Sequence, residues 1–383
     1  MTPIVTLSGI GWDHPRCMAP LLASAASYED IATPMRIEWA ARSLKEFGDG
    51  NLAALAREYD LLVFDHPYVG AAHAGGWLLD WTSLLTAGEL QGLQADSLGP
   101  CYTSYEASGG LWGLPLDAAA QVASSRDDLL ERLGTAAPVT AAELRALAIA
   151  ARRNDMYIAL PSVPIDAICT FLTLCANLGE PLQREAGHLP PPATVRSVLT
   201  LQRELLELSH PLSRQWNPIG CYEHMISHDD VCYVPFGFGY TNYSRVPSAR
   251  RLTFRDIPAF GNVGCAGAIL GGAGIAISAG CAHVPEAVRY AMYLTSGKYQ
   301  SHEYCASGGQ PASLAAWSAP QCDTMTGGFL SGTRQTMQRA YLRPTFDGFV
   351  PYFKAAGDRI AAFLGDEASL EATAKWLETA YAK

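Results

Sequence analysis

The chain has no run of 18 apolar residues, so no membrane-spanning helix is expected. Charge is sparse: Asp, Glu, Lys and Arg make up 17% of 383 residues, with a net charge of −10. No basic run and no RNA- or DNA-binding signature is present, which argues against a nucleic-acid surface. The opening "MTPIVTLSGIGW" lacks the basic start and apolar core of a secretion signal and runs straight into a strand pattern. None of the ten cysteines forms a CxxC pair, which removes the usual zinc and thioredoxin-like readings. Dispersed in a long chain, they read as reduced, buried small hydrophobes, a pattern that leans cytoplasmic. Also missing are G-x-S-x-G, the P-loop and H-E-x-x-H. Gly271, Gly272 and Gly274 do not complete a G-x-G-x-x-G fingerprint.

Apolar residues, at 49%, supply sizeable cores, and the length fits two domains or two lobes of one chain. The first segment reads β-α-β-α-β. "IVTLSGI", "MRIEWAARS" and "DLLVFDHP" are strands, separated by helices over "CMAPLLASAASYEDI" and "NLAALAREY". That alternation implies a parallel sheet covered on both faces. Asp80 or Thr82 caps a short helix after it. "LWGLPLDAAAQVASSR" is an extended stretch entering a helix, and Thr140 with Glu143 forms a capping box.

"YIALP" is a strand, followed by helices over "IDAICTFLTLCANLG" and "PATVRSVLTLQRELLEL". "NPIGCYEHMISHDD" is a helix leading to "VCYVPFGFGYTNYSR". Within this, "GFGYTNYSR" alternates glycine with aromatics and suits a ligand-lining loop more than a buried strand. "GCAGAILGGAGIAISAGC" reads as two strand pieces around Gly271-Gly272, and the remainder is largely helical. Extended crossings near Pro115–Ala119 and Gly261–Gly264 would join two lobes at a hinge.

Two of the strands end alike: "GIGWDHPR" stops on Asp13-His14-Pro15 and "LLVFDHPYVG" on Asp65-His66-Pro67. Carboxylates accept two or more hydrogen bonds, and a neutral imidazole donates one and accepts one. Proline stops the strand and stiffens the loop, which lowers the ordering cost of binding. These aspartates could equally cap the helices that follow.

Taken in order, "GIGWDHPR", "LLVFDHPYVG", "LWGLPLDAAAQVASSR", "VCYVPFGFGYTNYSR", "GAILGGAGIAISAGCAHVPEAVRYAMYLTSGKYQ" and "GGQPASLAAW" resemble extracellular solute-binding proteins, family 1. These are the type II periplasmic binding proteins of carbohydrate-type ABC transporters, and the resemblance spans nearly the whole chain. It implies an α/β, two-lobe Venus-flytrap fold with a central cleft and hinge. Lobe 1 would hold residues 1–115 and about 264–320; lobe 2 would hold 116–263 and the helices from about 321 to 383. In such a sheet the first strand is central with the third beside it. Ligands of open parallel sheets bind beyond the carboxyl ends of the strands, so both Asp-His-Pro loops would share one cleft rim.

The reading that follows is a protein that captures a small polar solute, a carbohydrate or polyol, by hinge closure and hands it to a transporter permease. Its ligand contacts would be Trp12, Asp13, His14, Asp65, His66, Asp117, Tyr240, Asn242, Gly272 and Trp317, with no cofactor, no metal, no nucleic acid and no membrane insertion. Aromatic rings would stack on the solute while polar groups orient it. Trp112, Tyr233, Phe236, Phe238 and Tyr243 add apolar surface, for which core packing is the better assignment residue by residue. The alternative is a leaderless cytoplasmic relative acting as an enzyme. His14, His66, Asp13, Asp65 and Asp117 would then perform acid–base or metal-assisted chemistry in the same cleft. The resemblance implies a periplasmic or extracellular location; with no signal in this sequence, either a leader has been removed or the protein stays in the cytoplasm, towards which the cysteines lean. His224 and His228, four apart on a helix before Asp229 and Asp230, could hold a metal, but an exposed face with incidental histidines is the simpler assignment.

Overall fold

The computed structural model describes residues 4–30, 32–49, 51–183, 189–245 and 250–381. Ten strands occur among them in chain order. They are β1 (Val5–Trp12), β2 (Met35–Arg42), β3 (Leu61–Phe64), β4 (Glu106–Ala107), β5 (Gly110–Leu111), β6 (Leu114–Ser125), β7 (Tyr157–Ile158), β8 (Val231–Phe238), β9 (Thr253–Arg255) and β10 (Leu270–Ile277). Helix α1 (Pro15–Ser27) follows β1 directly. The chain divides into two compact units. Unit 1 comprises Met1–Ala118, Gly271–Thr326 and Thr345–Asp347; unit 2 comprises Ala119–Leu270, Gly327–Pro344 and Gly348–Lys383. The chain therefore leaves unit 1 within β6 and returns within β10, while Gly261 and Gly264 lie inside unit 2.

In unit 1 the strand order is β2-β1-β3-β10. β1 runs parallel to both neighbours, with Gly9 opposite Trp39 on one side and Leu61 on the other. The "LLVF" of β3 is fully buried, as expected of a strand covered on both faces. β10 is antiparallel to β3, pairing Gly274 with Phe64 and Ile277 with Leu61, so the sheet is mixed and not purely parallel. The two strand pieces expected around Gly271-Gly272 are one strand. Its glycines do not break it. A Cβ on Gly274 would sit 2.5 Å from the Tyr105 ring, and Gly272 has φ +100°, so these positions serve close approach and a left-handed backbone.

In unit 2 the order is β6-β8-β7, with β9 also paired to β6. β8 is antiparallel to β6 and parallel to β7. β8 continues through Gly237 and Phe238, further than the ligand-loop reading of "GFGYTNYSR" allowed. Consecutive residues Val231–Gly237 are all buried, so both faces of this interior strand are covered. Only two residues of "YIALP" pair as strand. The Thr140–Glu143 capping box forms as read, with the Thr140 hydroxyl accepting from the Glu143 N–H at 3.3 Å and the Glu143 carboxylate accepting in return at 3.0 Å. Helix Pro164–Asn177 is buried from Asp166 to its end and packs against helices Pro192–Leu208 and Phe349–Leu364. Among the described residues no helix is long and apolar enough to cross a membrane. All ten cysteines are free thiols, nine of them buried.

Candidate functional site

The parallel register of unit 1 brings the two Asp-His-Pro loops together. Ile10 lies opposite Leu62, so two residues on Trp12 is level with Phe64, and Asp13 and Asp65 emerge side by side at the carboxyl end. A ligand of a parallel sheet is expected at this end.

Each of these side chains has a distinct setting. Asp13 is exposed, and its backbone N–H donates to the Arg42 carbonyl at 2.7 Å, tying the loop to the end of β2. Trp12 is buried, its ring 5.1 Å from that of Phe47, while the Arg42 guanidinium lies over the other ring of this pair at 5.1 Å. Trp12 thus packs the floor of the rim. His14 is the N-cap of α1: Nδ1 accepts the Arg16 N–H at 3.1 Å. Desolvation, with the Arg16 charge adding to it, lowers its pKa to about 4, so the imidazole is neutral at pH 7.

On the second loop, Asp65 is half-buried and precedes a single 3-10 turn, His66–Tyr68. His66 is buried, with Nδ1 3.2 Å from Asp65 Oδ1 and its ring edge-on to Tyr105 at 6.3 Å. Tyr105 in turn donates to the Phe64 carbonyl at 3.3 Å. The loop is therefore braced from beneath by an aromatic.

Asp117 is 3% exposed and is committed to Arg16, whose Nε donates to Oδ2 at 2.8 Å and whose Nη2 donates to Oδ1. Burial raises the Asp117 carboxyl and the guanidinium opposes that shift. Its backbone bridges Pro311, and the Trp317 indole N–H donates to the Pro311 carbonyl at 2.7 Å. Trp317 is itself buried. Asp117 and Trp317, both expected as solute contacts, thus stand in an internal chain of contacts that holds the start of α1. Gly272 is half-buried in β10.

The remaining two candidates belong to unit 2. Tyr240 is half-buried and precedes the turn Thr241–Tyr243, and the Asn242 side chain reaches the Tyr243 hydroxyl. That hydroxyl donates to Glu223 Oε1 at 2.7 Å.

Arg16 is the residue that sequence reasoning passed over, although it ends the quoted "GIGWDHPR". An arginine at the second position of a helix, just past a rim loop, was the available signal. Its partner lies 101 residues away.

No family model matches the chain, and no curated protein matches it. Solved structures do. A solute-binding protein of an ABC transporter from Agrobacterium radiobacter K84, in complex with ribitol, superposes with a TM-score of 0.81 at 17% identity, covering 99% of this chain and 98% of that one. Maltose-bound MalE3 of T. maritima gives 0.82 at 15% identity, with 98% of each chain covered. An ABC transporter solute-binding protein of Thermotoga lettingae TMO bound with α-D-tagatose gives 0.79 at 16%, covering 98% of this chain and 100% of that one. The fold is that of the ABC-transporter solute-binding proteins, with a mixed α/β architecture in two units. It extends over nearly the full chain.

Proposed function

We propose that this chain is a solute-binding protein that captures a small neutral carbohydrate or polyol and delivers it to the permease of an ABC transporter. It would work in the periplasm or at the outer face of the cell membrane. The observation that carries the reading is the pair of Asp-His-Pro loops emerging side by side from parallel strands β1 and β3. Asp13 and Asp65 offer carboxylate acceptors for hydroxyls, and neutral His14 adds a hydrogen-bonding imidazole. The relatives of the same fold are described with ribitol, maltose and tagatose, all neutral polyhydroxyl compounds. The part expected of Tyr240, Asn242 and Gly272 rests on the composition of "GFGYTNYSR" and on the glycines of β10.

The test is a thermal-shift and calorimetric screen of sugars and alditols against the purified chain. A bound solute raises the melting temperature with its concentration. It is recovered chemically unchanged, and Asp13→Ala or Asp65→Ala lowers affinity while the apo melting temperature stays in place. A screen in which no member stabilises the protein, or in which the solute is consumed, overturns the proposal.

A further inference from the structure

The helix Pro218–Ser227 of unit 2 was expected to present His224 and His228 on an exposed face. The structure leaves His228 exposed, just past the helix end, but draws the half-buried His224 into a cluster. His224 Nε2 lies 2.7 Å from Asp230 Oδ1, and His210 Nε2 lies 3.4 Å from Asp230 Oδ2. One donor atom from each of these three side chains falls within 4.8 Å of the others. The rings are held from their faces. His210 stacks on Trp216 at 4.8 Å and 9°, and His224 stacks on His228 at 4.1 Å and 6°. Tyr157 meets His210 edge-on at 5.2 Å. Two imidazole edges are thereby aimed at one carboxylate, and the Asp230 side chain is 36% exposed, so an ion can reach it from solvent.

We propose that His210, His224 and Asp230 form a binding site for a divalent transition metal of the Zn²⁺ type, with water as the fourth ligand. Two imidazoles and a carboxylate suit Zn²⁺, Co²⁺ or Ni²⁺, whereas Ca²⁺ and Mg²⁺ demand an all-oxygen set. Tetrahedral Zn²⁺ with bonds of about 2.1 Å places neighbouring donors roughly 3.4 Å apart. His210 Nε2 already stands at that separation from Asp230 Oδ2, while His224 Nε2 faces the other oxygen, Oδ1. One ligand atom from each residue lies within 4.8 Å of the others, so bringing them onto one ion takes a side-chain adjustment at a partly exposed position. The nearby cations do not compete for the carboxylate: Arg126 is paired with Asp128 and Asp229, and Arg250 with Asp229.

One internal bond reports on binding. His210 Nδ1 accepts the Leu212 N–H at 3.2 Å, so in the metal-free protein the imidazole proton sits on Nε2 and faces Asp230. Coordination uses the Nε2 lone pair. The proton then moves to Nδ1 and the Leu212 hydrogen bond opens. The His210 imidazole keeps one proton throughout this step.

The experiment titrates the EDTA-treated full chain with ZnCl₂ by calorimetry, follows CoCl₂ binding by its visible d–d absorption, and records the Leu212 amide resonance. The expected result is one saturable equivalent, tetrahedral Co²⁺ bands, and a shifted Leu212 amide. His224→Ala and Asp230→Asn should each weaken binding roughly 10-fold to 100-fold or more, whereas His283→Ala, at an exposed histidine elsewhere, leaves it unchanged. If His224→Ala fails to fold, His210→Gln and the Leu212 resonance of the native chain decide. Absence of binding at millimolar Zn²⁺, an unmoved Leu212 amide, or binding that survives both ligand variants overturns the proposal.

Discussion

Arg16 and Asp117, 101 residues apart, form a forked ion pair buried within unit 1. It joins the residue after the first Asp-His-Pro loop to the strand that leads out of the unit. Removing one member of such a pair leaves a buried charge alone, at a cost of about 3–5 kcal/mol, whereas replacing both with apolar residues costs far less. Asp117→Ala should therefore lower the urea midpoint strongly, and Arg16→Met with Asp117→Leu should recover most of the loss. Equal destabilisation in the single and double variants would show that the pair's packing, not its charge, matters.

His14 caps α1 only while neutral. Its folded pKa of about 4 lies below the unfolded value of 6.5, so the unfolded chain binds the extra proton between those pH values. Stability from this group is full above pH 6.5 and is lost as the pH falls toward 4. His14→Ala should remove that pH dependence and cost about 0.5–2 kcal/mol at pH 7 for the lost cap, while His14→Asn, a good cap, should retain the stability. An NMR titration of the imidazole near 6.5 in the native chain would contradict the burial argument.

Asp166 presents the opposite case. It sits in the first turn of helix Pro164–Asn177, fully buried, and Oδ2 has no hydrogen-bond partner among the described residues. Desolvation alone pushes its pKa up to about 8. The native state therefore holds a proton that the unfolded chain releases near pH 4. Stability contributed by this group falls as pH rises from about 4 to about 8, by an amount on the order of several kcal/mol. Asp166→Asn should flatten that slope and raise the melting temperature at pH 8. Chemical denaturation of both proteins across this range gives the comparison.

Gly274 in β10 exists for Tyr105. A side chain there would press on the ring that braces Phe64. Gly274→Val should destabilise by about 1–3 kcal/mol through overpacking. Tyr105→Ala alone empties a buried aromatic site, so the double variant should lose less stability than the sum of the two single losses. Additive losses in the denaturation curves would count against the close-approach explanation.

Local signals carried well from sequence to structure. The Thr140–Glu143 box, the caps and the strands β1 to β3 depend on neighbours a few residues apart, and periodicity records those. The adjacency of the two Asp-His-Pro loops was readable because parallel βαβ order dictates it. The internal contacts of Asp117 and Trp317 were not, since both turn on partners that only folding supplies. Arg16 and Pro311 lie inside quoted segments, but no spacing links them to Asp117 or Trp317. The same holds for His210: fourteen residues before His224, in a separate turn, it has no periodic relation to that helix. Asp166 lies in an otherwise apolar helix, where an early acidic residue reads as an ordinary helix-start preference.

The division of the chain has a consequence for its synthesis. Unit 1 is finished only when Thr345–Asp347 has been made, and unit 2 needs the helices after that point. A ribosome has thus produced most of the polypeptide before either unit is whole, and β10 joins the early β-α-β-α-β segment only after more than 150 intervening residues of unit 2 have been made. Any nascent chain stopped before Asp347 lacks pieces of both units at once. Neither unit corresponds to one continuous segment, so expressing half of the gene would not yield a half-protein.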